Sequence, residues 1–463
     1  MRVVDGSFQL SNEKPTGGAA FLQRSPAPRR SGDRRYNSLP SFTKESYFLI
    51  DRFKVNSGRM ILRARTVVTM EGSPIEDGAV AVRQNRIQAV GSFKEVTRLY
   101  TGQLLDLGDQ VLLPGLINAH CHLDYTVMRK AILYRNSFTG WVSRINALKR
   151  CLSEEDYLKS IADGFKELKK WGTTTVLNIE SFPEIMSKMP SPPIRTWWFY
   201  EMIDLRHRIT SEEVVAGAFM FFQNRPDWLG GFGLSPHAPY TSSEELYRLS
   251  NECAKITRMP MTTHLGESAE EDDMFRHARG EFYDFLAGLG RNMNDCGHGS
   301  ALANLLTRKL IGADWIIAHL NELCEKDFEL VKNHRLNIVH CPESHRYFKH
   351  TPFQYKRLHD LGMNICLGTD SLASNETLNL FAEMRAVKNG EPWMSSEEVL
   401  KSVTVNAAMA LDKKDSLGKL APGAYADMIA LPFKGPIHQV YEAIVQHRLP
   451  IQWMMINGRT VQP

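Results

Sequence analysis

The sequence predicts an α/β protein: a (β/α)₈ barrel carrying a small β-sandwich domain built from both ends of the chain. Two observations carry that expectation. Between residues 111 and 412, eight strand-like apolar runs alternate with amphipathic helices, the pattern of successive βα units around a parallel sheet. Short β-branched runs separated by turns occupy residues 60–113 and return near the C-terminus; two sheet fragments so far apart in sequence pair most economically with each other. Length agrees, because 463 residues exceed the usual single core. Hydrophobic residues at 43% and charged residues at 23% exclude a wholly disordered, collagenous or fibrous chain and leave core enough for an enzyme.

From Met1 to about Gly58 the chain is rich in Ser, Pro, Gly and Arg, as in SPAPRRSGDRR. Residues 1–58 are therefore expected to be a poorly ordered extension, since they bury too little apolar surface to offset their conformational entropy. Two readings stay open for them: a targeting segment, or a start codon placed ahead of a domain that opens at Met60. The strands MILRARTVVTM, GAVAVRQNRIQAVG and QLLDLGDQVLLPG follow, and ADMIALPF and IQWMMINGRTV answer them after residue 412. Residues 59–113 and 413–463 are accordingly assigned to the sandwich and 114–412 to the barrel. The eight barrel runs are VLLPGLINAH, TTTVLNIE, IRTWWFYE, LGGFGLSPH, PMTTHLGE, DWIIAHL, RLNIVHC and NICLGTD. Among the helices between them, Ser153 can cap a first turn with Asp156 at the third position. Tyr157, Ile161, Phe165 and Leu168 then repeat on one face, and Gly172 ends the helix.

The net charge of +4 belongs to the tail: residues 1–58 hold ten basic and five acidic side chains, leaving the body nearly neutral. A neutral body gives no footing for nucleic-acid binding, which requires a clustered basic face. Seven scattered cysteines without a C-x-x-C pair argue against a disulfide framework or zinc knuckle and for a reducing compartment. No run approaches the ~18 apolar residues of a membrane span, and no secretory h-region opens the chain. The expectation is a cytoplasmic protein, a homo-oligomer (dimer), acting on a small molecule and binding neither nucleic acid nor membrane.

In a barrel of this kind the reacting groups sit where strands end, and the polar residues fall there. His120 and His122 end the first strand, His237 the fourth, His264 with Glu267 the fifth, His319 the sixth, His340 the seventh and Asp370 the eighth. Side chains at i and i+2 of a strand share a face, so His120 and His122 can reach one ion, whereas Cys121 points towards the helical layer. Three imidazoles and a carboxylate, His120, His122, His264 and Asp370, make a mixed N/O site suited to Zn²⁺ or Fe²⁺. Such a site makes hydroxide available near neutral pH. Glu267, three residues beyond His264, is placed to carry the proton.

Through these residues the chain resembles the amidohydrolase superfamily and, within it, the cytosine deaminase and chlorohydrolase group. The likeness rests on PGLINAHCHL, SPHAPYTSS, THLGES, IIAHL and LGTDS in that order and spans roughly residues 60–460. It implies a distorted barrel holding one divalent metal through His120, His122, His264 and Asp370. Glu267 would be the proton shuttle, His319 would polarise the attacking water, and His237 would contact substrate. Relatives with two metals bridge them with a carboxylated lysine at the end of the fourth strand; Gly230 to Tyr240 holds no lysine, which implies a single ion.

Mononuclear members with this His-x-x-Glu arrangement mostly remove an amino group from an aromatic N-heterocycle. The segment HCPESHRYF, with TPF after it and SFTGW earlier, is similar to deaminases of aminodeoxyfutalosine, an adenine nucleoside. Arg346 and His345 are expected to bind a carboxylate and Trp141 to contact substrate, while Tyr347 and Phe348 either stack on a base or anchor their loop. Glu343 departs from that pattern, which expects a basic or small residue. The leading expectation is a metal-dependent hydrolytic deaminase of an adenine-type nucleoside. A triazine-type chlorohydrolase or a guanine or cytosine deaminase using the same site is the alternative, and a non-catalytic scaffold is the alternative of another class.

Overall fold

The computed structural model describes residues 59–205, 209–222 and 228–463; the expected N-terminal extension, residues 1–58, lies outside them. The chain ends meet in one eight-stranded sheet made of β1 (Arg59–Val67), β2 (Ile75–Arg83), β3 (Arg86–Ser92), β4 (Gln103–Asp106) and β5 (Gln110–Pro114), with β15 (Met428–Pro432), β16 (Trp453–Ile456) and β17 (Arg459–Val461) from the far end. The two ends join through the antiparallel pair β5–β15, in which Leu113 faces Ile429. Alternating side chains of both ends, among them Leu62, Val80, Leu112, Met428 and Met455, bury one apolar cluster between them.

The second sheet is the barrel. Its strands β6 (Leu116–His122), β7 (Thr173–Glu180), β8 (Arg195–Met202), β9 (Gly230–Pro236), β10 (Met261–Leu265), β11 (Trp315–His319), β12 (Asn337–His340) and β13 (Asn364–Leu367) lie side by side in chain order and run parallel. The ring is closed by β14 (Asp370–Ser371), which pairs not with β12 but with β6, setting Asp370 opposite Cys121 and Ser371 opposite His122. The last strand thus changes partner at Gly368 and Thr369: Gly368 N–H donates to His340 O at 3.0 Å and Thr369 N–H to His120 O at 3.1 Å. A Cβ on Gly368 would sit 2.7 Å from the His120 carbonyl oxygen, so only glycine passes this close.

The first predicted barrel run, VLLPGLINAH, is divided at Gly115. Residues before it belong to the small sheet and residues after it to the barrel; a side chain at Gly115 would collide with Thr174, 2.1 Å from the position its Cβ would occupy. The helix Glu154–Lys170 forms as its pattern predicts: Ser153 and Asp156 complete a capping box, and Tyr157, Ile161, Phe165 and Leu168 are buried. Cys121 packs with Tyr157 and Phe165 in the large core between strands and helices, so it faces away from the histidines that flank it. The barrel is tied to the small sheet by a buried pair, Arg195 Nε to Asp427 Oδ2 at 2.8 Å. Tyr425 stacks beneath that guanidinium, 3.8 Å from Arg195 Cζ to the ring centre.

Candidate active site at the barrel mouth

The residues expected at strand ends converge. His122 Nε2 lies 3.2 Å from His264 Nε2, and Asp370 Oδ1 is 3.7 Å from His120 Nε2 and 3.9 Å from His122 Nε2. One ligand atom from each of His120, His122 and His264 falls within 4.8 Å of the others, and so do those of Glu267, His319 and Asp370. All six side chains are buried. His319 and Asp370 hold left-handed backbone, with φ of +73° and +54°, an unfavourable conformation for non-glycine residues that persists where surrounding structure enforces it.

Burial and crowding fix the charges. Burial, reinforced by His120, lowers the His122 imidazole to about 4, and burial also holds His264 and His319 well below the ordinary histidine range. These rings are neutral near pH 7 and offer lone pairs. Burial by itself would raise the Asp370 carboxyl, but the His120, His319 and His122 imidazoles keep it well below the usual carboxylate range. Glu267 is pushed the other way, well above that range, by burial and by the Asp370 and Glu271 carboxylates, which favours its neutral form. Two carboxyl groups in one site are therefore shifted in opposite directions.

The donor set fits a divalent metal cofactor. His120 Nε2 and His319 Nε2 are buried without a hydrogen-bond partner, and two imidazole nitrogens face each other at His122 and His264; such nitrogens are costly unless a cation completes them. Supporting groups aim the donors. His264 Nδ1 donates to the His237 carbonyl oxygen at 2.9 Å, which turns Nε2 inward. Ser344 and Ser374 hydroxyls donate to Asp370 Oδ2 at 2.7 and 2.8 Å, leaving Oδ1 for the centre. Glu271 accepts from the backbone N–H groups of Gly266 and Glu267 at 3.0 and 2.8 Å. None of these supports was expected, and only Glu271, one helical turn beyond Glu267, left a spacing signal.

Above the centre opens a cavity of about 850 Å³. His122, His237, His264, Glu267, His319 and Asp370 lie at its base and Trp141, Tyr240 and Phe282 on its walls. The expected substrate residues divide. His237 and Trp141 line the cavity. Arg346 does not: it sits on the outer side of the helix Pro342–Phe348, its side chain 77% exposed and paired with Glu343. Helical periodicity explains this, since Ser344 and Phe348 share the buried face and a residue midway between them points outward. His345 also stands outside the lining, its Nδ1 3.1 Å from Asn321 Oδ1. Tyr347 donates to the Ile132 carbonyl at 2.6 Å and Phe348 packs edge-on against Trp141, so both anchor the loop rather than stack on a ligand.

Imidazoles and a carboxylate gathered at the C-terminal mouth of a barrel, beside a buried carboxyl whose proton affinity is raised, define a metal-dependent hydrolase. The chain belongs to the Amidohydrolase family, whose profile matches residues 111–461, and it hydrolyses carbon–nitrogen bonds. It is 30% identical to a 5-methylthioadenosine/S-adenosylhomocysteine deaminase of Pyrococcus furiosus, over 78% of this chain and 84% of the relative. Among solved structures it is similar to a zinc-bound adenosine deaminase of Xanthomonas campestris, with a TM-score of 0.74 and 24% identity over 87% of this chain and 92% of the other. It is also similar to Helicobacter pylori aminofutalosine deaminase in complex with methylthio-coformycin, with a TM-score of 0.78 and 21% identity over 87% of this chain and 100% of the other. Among the described residues no helix is long and apolar enough to cross a membrane.

Proposed function

We propose that the protein is a hydrolytic deaminase that releases ammonia from the purine ring of an adenine-type nucleoside, using one divalent ion, Zn²⁺, held by His120, His122, His264 and Asp370. The observation that carries this reading is the meeting of those donors with the buried Glu267 carboxyl at the base of an aromatic-walled cavity. The deaminase relative in Pyrococcus furiosus and the zinc in the Xanthomonas campestris structure support the substrate class and the metal. The ion, when bound, supplies the Lewis acidity that lowers the pKa of water towards neutrality.

The chain's own groups do the rest. Glu267, with its raised proton affinity, gives a proton to the ring nitrogen beside the C–NH₂ carbon and takes one from the attacking water. His319 Nε2, 3.7 Å from Glu267 Oε1, is within reach of that water and orients it. The new C–O bond forms, the second water proton passes to the amino group, and the C–N bond breaks to release ammonia. Trp141 and Tyr240 flank the planar base, and the donors and Glu267 lie buried beneath it. Incubating zinc-loaded protein with adenosine, methylthioadenosine, aminodeoxyfutalosine and guanine tests the reading: ammonia release with the accompanying ultraviolet change is expected for the adenine nucleosides, and none from any of them rejects it. Seven free cysteines, four of them buried, fit our placement of the protein in the reducing cytoplasm.

A further inference from the structure

One ionisable group in the cavity has no task in the deamination chemistry. Glu201 lies at the end of β8, its side chain only 6% exposed, and lines the cavity beside His237. Its Oε1 is 3.9 Å from His237 Nε2, beyond hydrogen-bond reach, so acceptor and ring nitrogen face one another across a gap. The other ring nitrogen of His237 is engaged 2.6 Å from the Thr241 hydroxyl. Burial alone would neutralise Glu201, yet His237, Lys149 and His122 hold its carboxyl below its ordinary range, with the Ser181 hydroxyl donating to it. The cavity wall therefore presents an anion with acceptor positions to spare.

The position of that anion relative to the reacting end indicates what it meets. His237 stands between Glu201 and the donors, its ring centre 4.9 Å from that of His264. A ligand with its amino carbon at the donors and its flat base along Trp141 and Tyr240 extends its next substituent past His237 towards Glu201. A phosphate or carboxylate there would meet the Glu201 charge, which Lys149 already offsets, whereas hydroxyl donors complete the carboxylate. Two adjacent hydroxyls suit it best, because a carboxylate accepts through both oxygens at once.

We propose that Glu201 is the sugar-reading residue: its carboxylate accepts the 2′- and 3′-hydroxyls of the ribose, making the site selective for ribonucleosides over deoxynucleosides and the free base. This rests on the nucleoside reading above. The test measures kcat/KM of the full-length, zinc-loaded protein for adenosine, 2′-deoxyadenosine, 3′-deoxyadenosine and adenine in the wild type, Glu201→Gln and Glu201→Ala, with metal content followed in parallel. Wild type is expected to favour adenosine over either deoxynucleoside by about tenfold or more, the size of a hydrogen bond to a charged group. Both variants are expected to lose about 10- to 100-fold on adenosine, a smaller factor on each deoxynucleoside, which keeps one of the two hydroxyls, and less than about threefold on adenine, and to keep their metal. Equal losses on every substrate, or a wild type indifferent to the hydroxyls, overturn the assignment. If the wild type releases ammonia from none of the four, the deaminase reading fails separately; calorimetric titration of adenosine and 3′-deoxyadenosine into wild type and Glu201→Gln then decides the sugar assignment, and equal affinities in all four titrations reject it.

Discussion

Glu267 and Asp370 stand in one site and are shifted in opposite directions: burial, reinforced by the Asp370 and Glu271 carboxylates, raises Glu267, while the surrounding imidazoles outweigh burial and lower Asp370. Glu267→Gln should therefore keep the metal and lower turnover by about 10² or more, the scale of a general acid–base group; steady-state rates equal to wild type would remove it from the mechanism. His264→Ala or Asp370→Ala should instead lose the ion, and elemental analysis showing full occupancy would count against those ligands. These residues were legible in the sequence because donors at i and i+2, or at the ends of successive strands, leave a countable pattern. Arg346 was misplaced because its motif specifies neighbours and not the rotation of the short helix that carries it. The carbonyl of His237 that turns His264 was invisible, since every residue has one.

At the scale of elements, the order of the barrel strands could be read from alternating apolar runs, and the helix Glu154–Lys170 from its cap and period. Two details could not. The division at Gly115 depends on the approach of Thr174, nearly sixty residues away, and the partner change at Gly368 depends on the carbonyl of His120; both are collisions that exist only in the folded chain. Gly368→Ala should force the β13–β14 junction apart at a cost of about 1–3 kcal/mol for overpacking and displace Asp370. A lower unfolding midpoint together with reduced zinc retention is the expected result, and normal retention would show that the junction relaxes without moving the ligand.

For the whole molecule, the pairing of chain ends was inferable from the strand-like runs at both ends, but the bond that fastens sheet to barrel was not, because Arg195 and Asp427 are separated by 232 positions. Asp427→Ala leaves a buried guanidinium unpaired and should destabilise the protein by about 3–5 kcal/mol, measured by denaturant unfolding; replacing both partners by apolar residues should recover much of the loss. The composition of residues 1–58 predicts that their deletion leaves turnover unchanged, and a large loss would refute that expectation. The partner change in the last strand has a further consequence. Asp370 pairs with β6, which itself supplies His120 and His122, so an ion held by these three residues would link the first strand to the last and act as a clasp. Loading should come after ring closure in folding, and amide hydrogens at residues 369–371 should exchange more slowly once zinc is bound, with little change on strands far from the seam.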